Sequence, residues 1–282
     1  MIAVKQAGFF TTVQDLGRFG SRHFGVPVSG CLDRDAARKA NLLLENDPAD
    51  ALLEITMTGP ELVFQVPTFI AIMGAHLPAT INSVEIPLNT VVKVEENDHL
   101  QFGTLQSGFR AYLAVKGGIQ TDIILNSRSF YKPITYQNRI KKGQELPCIA
   151  WAEFRPKLTS IQREKEDAVK LMAFPGPEFK MIQAPQMDQL WHSKFTVAKE
   201  NNRMAYQIVE GIGPHSETIL TSATLPGSVQ YTPGGKLIIL MRDAQTTGGY
   251  PRILQIEEKS LNKLAQLKTG DRFRFVPLEY NK

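Results

Sequence analysis

Short apolar runs separated by turn residues recur between residues 51 and 115, and they constrain the fold more than any other feature. The runs, rich in β-branched and aromatic residues, are 52–56, 61–64, 69–74, 79–82, 91–94, 99–102 and 111–115. Turn sequences such as Gly59-Pro60 and Glu95-Glu96-Asn97-Asp98 lie between them. Strands of this kind, with a turn about every 8 to 12 residues, are typical of sandwiches and barrels. The sequence therefore predicts a mainly β protein with a few short helices.

One segment has a helical period instead. Its apolar positions, Ala36, Ala37, Ala40, Leu43 and Leu44, recur at helical spacing. Asp33 precedes them and can accept the free N–H groups of the first turn, while Asn46-Asp47-Pro48 ends the pattern. This predicts a helix over 34–44. Shorter helical patterns occur at 187–191 and at 260–267, where Ser260 is the predicted N-cap.

A charged segment at 154–170 divides the chain. It contains Arg155-Pro156-Lys157 and the run 163–167, and it has little apolar periodicity. This pattern predicts two domains, 1–154 and 155–282. The same segment is also compatible with a solvated surface loop inside one continuous unit.

Composition and charge argue against several classes of protein. The 32 basic and 28 acidic residues give a net charge of +4, and no block of like charge suggests a nucleic-acid-binding arm. No apolar run approaches the roughly 20 residues that cross a bilayer, and the N-terminus lacks a signal-peptide pattern. Cys31 and Cys148 are far apart in sequence, which fits a reducing compartment. We therefore expect a soluble cytoplasmic protein that binds neither nucleic acid nor membrane.

Standard catalytic motifs are absent from the sequence. There is no phosphate loop, no dinucleotide-binding glycine pattern and no G-x-S-x-G elbow, so Ser29 in Val28-Ser29-Gly30 is a weak nucleophile candidate. The five histidines never fall at i,i+4 spacing, and we expect no metal site.

A polar, glycine-containing stretch at 245–251 is the first candidate site. It follows the apolar run 236–241 and supplies a carboxamide, two hydroxyls and flexible backbone from Gln245, Thr246, Thr247, Gly248 and Gly249, before Tyr250-Pro251. Adjacent glycines let the backbone take positive φ or approach another group closely. The stretch is equally compatible with a hairpin loop. Tyr250-Pro251 is a candidate cis bond.

A second candidate site lies near the N-terminus. Gln14, Asp15 and Arg18 surround Gly17, so a carboxylate and a guanidinium can face one pocket. The alternative is an Asp15–Arg18 ion pair that pins the loop.

Three further polar residues stand out by their context. Glu54 interrupts an apolar strand, so its carboxylate is either at the solvent face or buried with a partner. Asn41 lies one position from the apolar stripe of the predicted helix, and Arg128 lies in the polar loop Asn126-Ser127-Arg128-Ser129.

Taken together, these stretches resemble one family nearly from end to end. The matching segments are 11–18, 25–30 with Asp33, 40–43, 53–56 with Gly59-Pro60, 112–119, 127–129, 175–177 and 245–251. The chain resembles the family of the C subunit of prokaryotic 5-oxoprolinase, which is also described as allophanate hydrolase subunit 2 or as the A/B part of the urea carboxylase carboxyltransferase domain. Three positions depart from the family pattern: Asn126 and Ala205 stand where glycine is usual, and Phe130 replaces a threonine.

The resemblance implies β-barrel subdomains, at least one of them cyclophilin-like, with a carboxyltransferase-type N-terminal part and a C-terminal barrel. It also implies 5-oxoprolinase subunits A and B as partners, and ATP-driven opening of 5-oxo-L-proline to L-glutamate, with ATP used at the level of the complex. For such a reaction we expect Asp15, Arg18, Gln245 and Thr247 to be catalytic. The expected substrate-binding residues are Gln14, Ser29, Asn41, Glu54, Arg128, Thr246, Gly248, Gly249 and Tyr250.

Two other interpretations remain open. One is a carboxyltransferase-type subunit acting on urea or a related amide, with biotin carried by another chain because no Met-Lys-Met attachment sequence occurs here. The other is a non-enzymatic regulatory partner of the B subunit. If the chain is part of an enzyme, we expect the 14–18 and 246–251 loops to act on one small amide.

Overall fold

The computed structural model describes residues 1–162 and 169–279, which form two compact units. Unit 1 comprises Met1–Phe19 and Ser29–Glu164, and unit 2 comprises Gly20–Val28 and Lys165–Lys282. The division after Glu164 falls within the charged run 163–167, which the sequence predicts as part of a linker. This run lies outside the described residues.

Unit 1 is built from two antiparallel sheets and one α-helix. Its elements are β1 (Ile2–Gln6), β2 (Phe10–Gln14), α1 (Arg34–Leu43), β3 (Leu52–Thr56), β4 (Glu61–Phe64), β5 (Thr68–His76), β6 (Ala79–Ile81), β7 (Val84–Ile86), β8 (Val91–Val94), β9 (His99–Phe102), β10 (Ser107–Val115) and β11 (Glu145–Leu146). One sheet has the order β11-β1-β4-β9-β6-β7, and the other has the order β2-β3-β10-β5-β8.

The alternation of side chains along β3 separates two apolar clusters. Leu53 and Ile55 belong to the larger cluster, to which the other sheet contributes Phe64 and Leu100. Leu52, which points to the opposite face, belongs to the cluster formed with α1. The second sheet of unit 1 is therefore covered on both faces, which explains why every residue of β3 is buried.

Helix α1 begins where the sequence predicts and ends one residue early. The Asp33 side chain accepts a hydrogen bond from the Ala36 N–H at 3.0 Å, which satisfies a free donor of the first turn. At the other end, Lys116 Nζ donates to the carbonyl oxygen of Leu44 at 2.7 Å. A cation at this position also complements the negative end of the helix dipole.

Unit 2 is centred on a closed barrel. Its elements are β12 (Lys170–Pro175), α2 (Ala184–His192), β13 (Phe195–Asn201), β14 (Ala205–Gly211), β15 (Ser222–Ala223), β16 (Ser228–Tyr231), β17 (Lys236–Leu240), β18 (Thr247–Gly248), β19 (Arg252–Ile256), α3 (Glu258–Leu264) and β20 (Arg272–Pro277), with 3-10 turns at Arg22–Phe24 and Phe179–Met181. The barrel order is β12-β19-β16-β17-β14-β13-β20, and β15 pairs with β18 outside it.

Aromatic rings pack inside one wall of this barrel. The centroids of Phe195, Phe273 and Phe275 lie 5.1 to 6.0 Å apart, and all three residues are buried. Ring pairs at such distances stabilise a core beyond the area they bury. The barrel and the three α-helices of the described residues confirm the predicted mainly β class.

Two local predictions are wrong. Glu257, not Ser260, occupies the N-cap position of α3; the Ser260 hydroxyl instead accepts a hydrogen bond from the Met172 N–H at 2.9 Å. Within the described ranges the cis peptide bond is Lys132-Pro133, so Tyr250-Pro251 is trans. No helix in these ranges is both long and apolar enough to cross a membrane.

Candidate functional site

In unit 1 the Asp15 carboxylate ties two distant loops together. Its Oδ1 accepts hydrogen bonds from the Gly17 N–H at 2.7 Å and from the hydroxyls of Ser127 and Ser129 at 2.8 and 2.6 Å. Its Oδ2 accepts from the Arg128 N–H at 2.6 Å. Four donors thus surround a buried carboxylate. The geometry makes Asp15 a residue that positions the 127–129 loop.

Arg18 acts on the same loop. Its side chain is fully buried; Nε donates to the Ile124 carbonyl at 3.2 Å, and Nη2 donates to the Ser129 carbonyl. The guanidinium thus holds the backbone of 124–129 by the two-pronged geometry that arginine favours. Arg128 is only partly buried, and its Nη2 donates to Gln120 Oε1 at 2.9 Å.

Gln14 joins this cluster to the segment that follows residue 28. Its Nε2 donates to the Phe130 carbonyl at 3.1 Å, and its Oε1 accepts from the Gly30 N–H at 3.0 Å. Gly30 has a φ of 84°, and a Cβ there would lie 2.7 Å from the Gly17 nitrogen. Only glycine fits this position, because the backbones of the two loops touch.

Ser29 differs from its neighbours in leaving a polar group unpaired. It is fully buried and adopts a left-handed φ of 55°, and its Oγ has no hydrogen-bond partner among the described residues. A left-handed serine and an unpaired buried hydroxyl both cost folding free energy. Such features accumulate at sites that bind ligands, so this hydroxyl is the strongest ligand-contact candidate of the unit 1 cluster.

Glu54, on β3, binds the segment that leads from this cluster into α1. The sequence left its carboxylate either at the solvent face or buried with a partner, and the structure shows the second. Its Oε2 accepts from the Leu32 N–H at 2.7 Å and from the Tyr112 hydroxyl at 3.0 Å. Tyr112 in turn accepts from the Asp33 N–H at 2.8 Å. Burial first, and then the Glu54 charge, raises the pKa of the Tyr112 hydroxyl well above its ordinary value. The network fixes the entry into α1.

Asn41 lies at the other end of α1. It is buried, its Nδ2 donates to the Asp50 carbonyl at 2.9 Å, and its Oδ1 accepts from Asn46 Nδ2 at 3.1 Å. These bonds satisfy polar groups where the helix ends. The structure thus brings together Gln14, Asp15, Arg18, Ser29 and Arg128. Glu54 binds the same segment at Leu32, and Asn41 lies at the C-terminal end of α1.

In unit 2 the 245–250 stretch is held by the residue that follows β15. The Thr224 hydroxyl donates to the Gln245 carbonyl at 2.5 Å, and the Thr224 N–H donates to the Thr246 carbonyl at 3.0 Å. The short pairing of β15 with β18 continues this contact. The stretch connects β17 to β19, which each pair with β16 and not with each other, so the hairpin-loop interpretation is wrong.

Arg22 braces the same backbone. Its Nη2 donates to the Thr224 carbonyl and, at 3.4 Å, to the Thr246 carbonyl. Burial lowers the pKa of the Arg22 guanidinium from its ordinary value. Sequence reasoning missed this residue, because 202 positions separate it from Thr224 and no local motif marks the contact.

Gly248 closely approaches a buried side chain. Its φ lies outside the left-handed region, and a Cβ there would lie 2.4 Å from Gln230 Nε2. Gly249 has no such neighbour within 4 Å. Around this contact the side chains of Gln245, Thr247 and Tyr250 are exposed, so polar groups at the rim are open to a ligand.

Each candidate loop is described within its own unit, so their predicted action on one ligand stays a prediction. Among the described residues no three histidine, cysteine or acidic side chains are placed to hold a metal ion.

Comparison with known proteins identifies the family. A family model for the carboxyltransferase domain, subdomain A and B, matches residues 24–277. The chain belongs to this family. Carboxyltransferase A/B relatives extend the match to nearly the whole chain: the 5-oxoprolinase C subunit of Escherichia coli (strain K12) is 33% identical over 98% of this chain and 91% of its own.

Two proteins named urea amidolyase are also similar to this chain. Urea amidolyase of Lachancea kluyveri is 29% identical over 98% of this chain, which spans 17% of that protein. The crystal structure of the K. lactis urea amidolyase superposes with a TM-score of 0.89 at 27% identity, covering 99% of this chain and 19% of that one. The fold is therefore shared by subunits and by parts of much longer proteins.

Proposed function

We propose that this chain is a subunit of an ATP-dependent 5-oxoprolinase complex that opens 5-oxo-L-proline to L-glutamate. The observation that carries the proposal is the similarity to a 5-oxoprolinase C subunit along almost the full length of both chains. The urea amidolyases, in contrast, are matched over a small part of their length.

The chemistry of a lactam explains why ATP is needed. The ring amide is stabilised by resonance, and its nitrogen is a poor leaving group. Transfer of the γ-phosphoryl group of ATP to the amide oxygen, with release of ADP, activates the carbon for attack by water. The ring C–N bond then breaks to give γ-glutamyl phosphate, and a second water hydrolyses this acyl phosphate to glutamate and phosphate. A subunit that binds the lactam must offer directional hydrogen bonds and must exclude bulk water.

The residues divide into those that contact ligand and those that hold them in place. We assign ligand contact to the exposed rim groups of Gln245 and Thr247 in unit 2, and to the unpaired Ser29 hydroxyl in unit 1. Asp15 and Arg18 are assigned a positioning role, because their polar atoms bind the 124–129 segment.

The partners proposed are 5-oxoprolinase subunits A and B, and the ATP is proposed to be bound at the level of the complex. The sequence of this chain contains no phosphate loop, which fits an ATP site on another subunit. The proposed place of action is the cytoplasm.

A substrate comparison tests this function. The chain is mixed with the A and B partners of its own organism, and product is measured with 5-oxo-L-proline plus ATP and, separately, with urea, bicarbonate and ATP. We expect glutamate and ADP from the first mixture. ATP-dependent consumption of urea, with no glutamate from 5-oxoproline, would contradict the proposal.

The family description and the urea amidolyase relatives favour one second candidate, a carboxyltransferase acting on urea or a related amide. In that case biotin would arrive on another chain. Avidin, which sequesters biotin, would then abolish turnover, whereas 5-oxoproline opening would be insensitive to it. Binding to the B subunit with no effect on any turnover would instead indicate a regulatory partner.

A further inference from the structure

Gln230, on β16, has a side chain that the fold only half satisfies. The residue is 2% exposed, and its Oε1 accepts a hydrogen bond from Gln245 Nε2 at 3.3 Å. Its own Nε2 carries two N–H donors, and it has no acceptor anywhere in 1–162 or 169–279. Buried donors in native proteins nearly always have partners, so this amide calls for a specific explanation.

The unpaired nitrogen lies at the candidate loop of unit 2. It would be 2.4 Å from a Cβ on Gly248, and the Thr224 methyl group would be 3.3 Å from the same position. The absence of a side chain at Gly248 thus leaves room for this amide. The Thr224 hydroxyl, which donates to the Gln245 carbonyl, makes no hydrogen bond with this nitrogen.

We propose that Gln230 is a ligand-binding residue whose Nε2 donates a hydrogen bond to the carbonyl oxygen of an amide ligand. The inference rests on the proposed function for the identity of that ligand, the ring amide of 5-oxo-L-proline. Nothing in the sequence motif at 245–251 points to this residue, which lies 15 positions before Gln245.

The pair of carboxamides also defines the chemical class of the ligand. Gln230 offers a donor, and the exposed Gln245 carboxamide it touches offers an acceptor oxygen. A cis amide, as in a lactam or in urea, presents its C=O and N–H groups on one edge and matches this pattern. L-proline has the same ring without the ring carbonyl, and it should not bind here.

Gln255 supplies a matched control within the barrel. Its Nε2 donates to the Pro226 carbonyl at 2.8 Å, and its Oε1 accepts from the Ser228 hydroxyl at 2.9 Å. Gln255→Met therefore removes a carboxamide that the chain itself satisfies. Gln230→Met removes a carboxamide whose nitrogen the chain leaves unpaired, and the methionine side chain has a similar volume.

The test measures thermal stability and ligand binding on the full chain, alone and mixed with its A and B partners. The probes are 5-oxo-L-proline, urea and L-proline. We expect Gln230→Met to melt at or above the wild-type temperature and to weaken binding of the amide probe about tenfold. Gln255→Met should melt lower and bind the probe as wild type does.

The outcomes separate this inference from the proposed function. If 5-oxo-L-proline binds and Gln230→Met binds it equally well, the Gln230 inference is overturned and the proposed function stands. If urea binds, 5-oxo-L-proline does not, and Gln230→Met loses urea, the inference stands and the proposed function fails. If no amide probe binds the wild-type complex, both are overturned.

A second variant protects the test against a folding defect. Gly248→Ala places a methyl group 2.4 Å from Gln230 Nε2, closer than the two atoms can stand, so it should displace the amide and weaken probe binding to a similar degree. When Gly248→Ala is combined with Gln230→Met, it should weaken probe binding little further, because both changes remove the same hydrogen bond from Gln230 to the ligand. Fully additive losses would show that Gly248 and Gln230 act separately.

Discussion

The Ser129 hydroxyl donates a hydrogen bond to Asp15 Oδ1 at 2.6 Å, across 114 positions of the chain. The Asp15 N–H donates back to Ser129 Oγ at 3.1 Å. This reciprocal contact, together with the bonds from Ser127 and from the Arg128 backbone, makes Asp15 the centre of the unit 1 cluster. A carboxylate so occupied holds loops in place, which differs from the catalytic role that the family resemblance led us to expect for it.

Asp15→Asn tests this positioning role. An amide replaces one acceptor oxygen by a donor that faces other donors, so we expect the free energy of unfolding to fall by about 3 kcal/mol. Urea denaturation measures the change, and exposed Asp122→Asn is the control, expected within about 0.5 kcal/mol of wild type. An Asp15→Asn protein with wild-type stability but no turnover would favour the catalytic role instead.

Arg18→Lys should also destabilise unit 1. Lysine has a point charge in place of the planar fork that reaches the carbonyls of Ile124 and Ser129, and this site is fully buried. We expect a loss of about 2 kcal/mol by urea denaturation, against almost none for exposed Arg139→Lys. Equal stability of the two variants would show that the buried guanidinium is not structural.

Thr247→Val should affect turnover and leave stability unchanged. The side chain is exposed at the rim of the 245–250 stretch, so losing its hydroxyl removes no buried hydrogen bond. We expect turnover in the complex to fall about 100-fold if this hydroxyl contacts the transition state, with melting within about 2 °C of wild type. Exposed Thr159→Val should change neither. Wild-type turnover in Thr247→Val would mean that the rim is structural.

The pair of Glu178 and Arg252 gives a pH prediction. Hydrogen bonds from Arg252 are the main cause that lowers the pKa of the Glu178 carboxyl below its ordinary value of 4.5. Because the folded pKa is the lower one, the pair stabilises the protein above pH 4.5, and that contribution is lost as the pH falls through the folded pKa.

Glu178→Gln measures this contribution. Both side chains are about 15% exposed and 2.6 Å apart, so we expect the variant to lose about 2 kcal/mol near pH 7. The difference from wild type should shrink as the pH falls below about 4.5. Glu200→Gln, from the exposed Lys199 pair, should cost less than about 0.5 kcal/mol at any pH. A Glu178→Gln difference that does not change with pH would refute the linkage.

Local signals explain what the sequence could predict. The helical period with Asp33 before it located α1, because both signals act within one turn of helix. Ser260 carried the same N-cap signal but lies inside α3, since its hydroxyl binds the Met172 N–H of β12. A hydroxyl has several possible partners, and only the tertiary fold selects among them.

The candidate sites depended on contacts that no local pattern encodes. The glycines at 248 and 249 marked a special backbone position, yet only the fold shows that Gly248 makes room for Gln230. Arg22 and Gln230 lie in stretches with no motif of their own, and their roles follow from contacts with the 245–248 segment.

The most direct test of the account is ATP-dependent release of L-glutamate from 5-oxo-L-proline, measured with and without this chain. The proposed A and B partners are held at fixed concentration, and this chain is titrated into the mixture. The account predicts that glutamate release rises with added chain until the subunits are matched, and that without it release stays at the level seen without ATP. Full glutamate release in the absence of this chain would contradict the account.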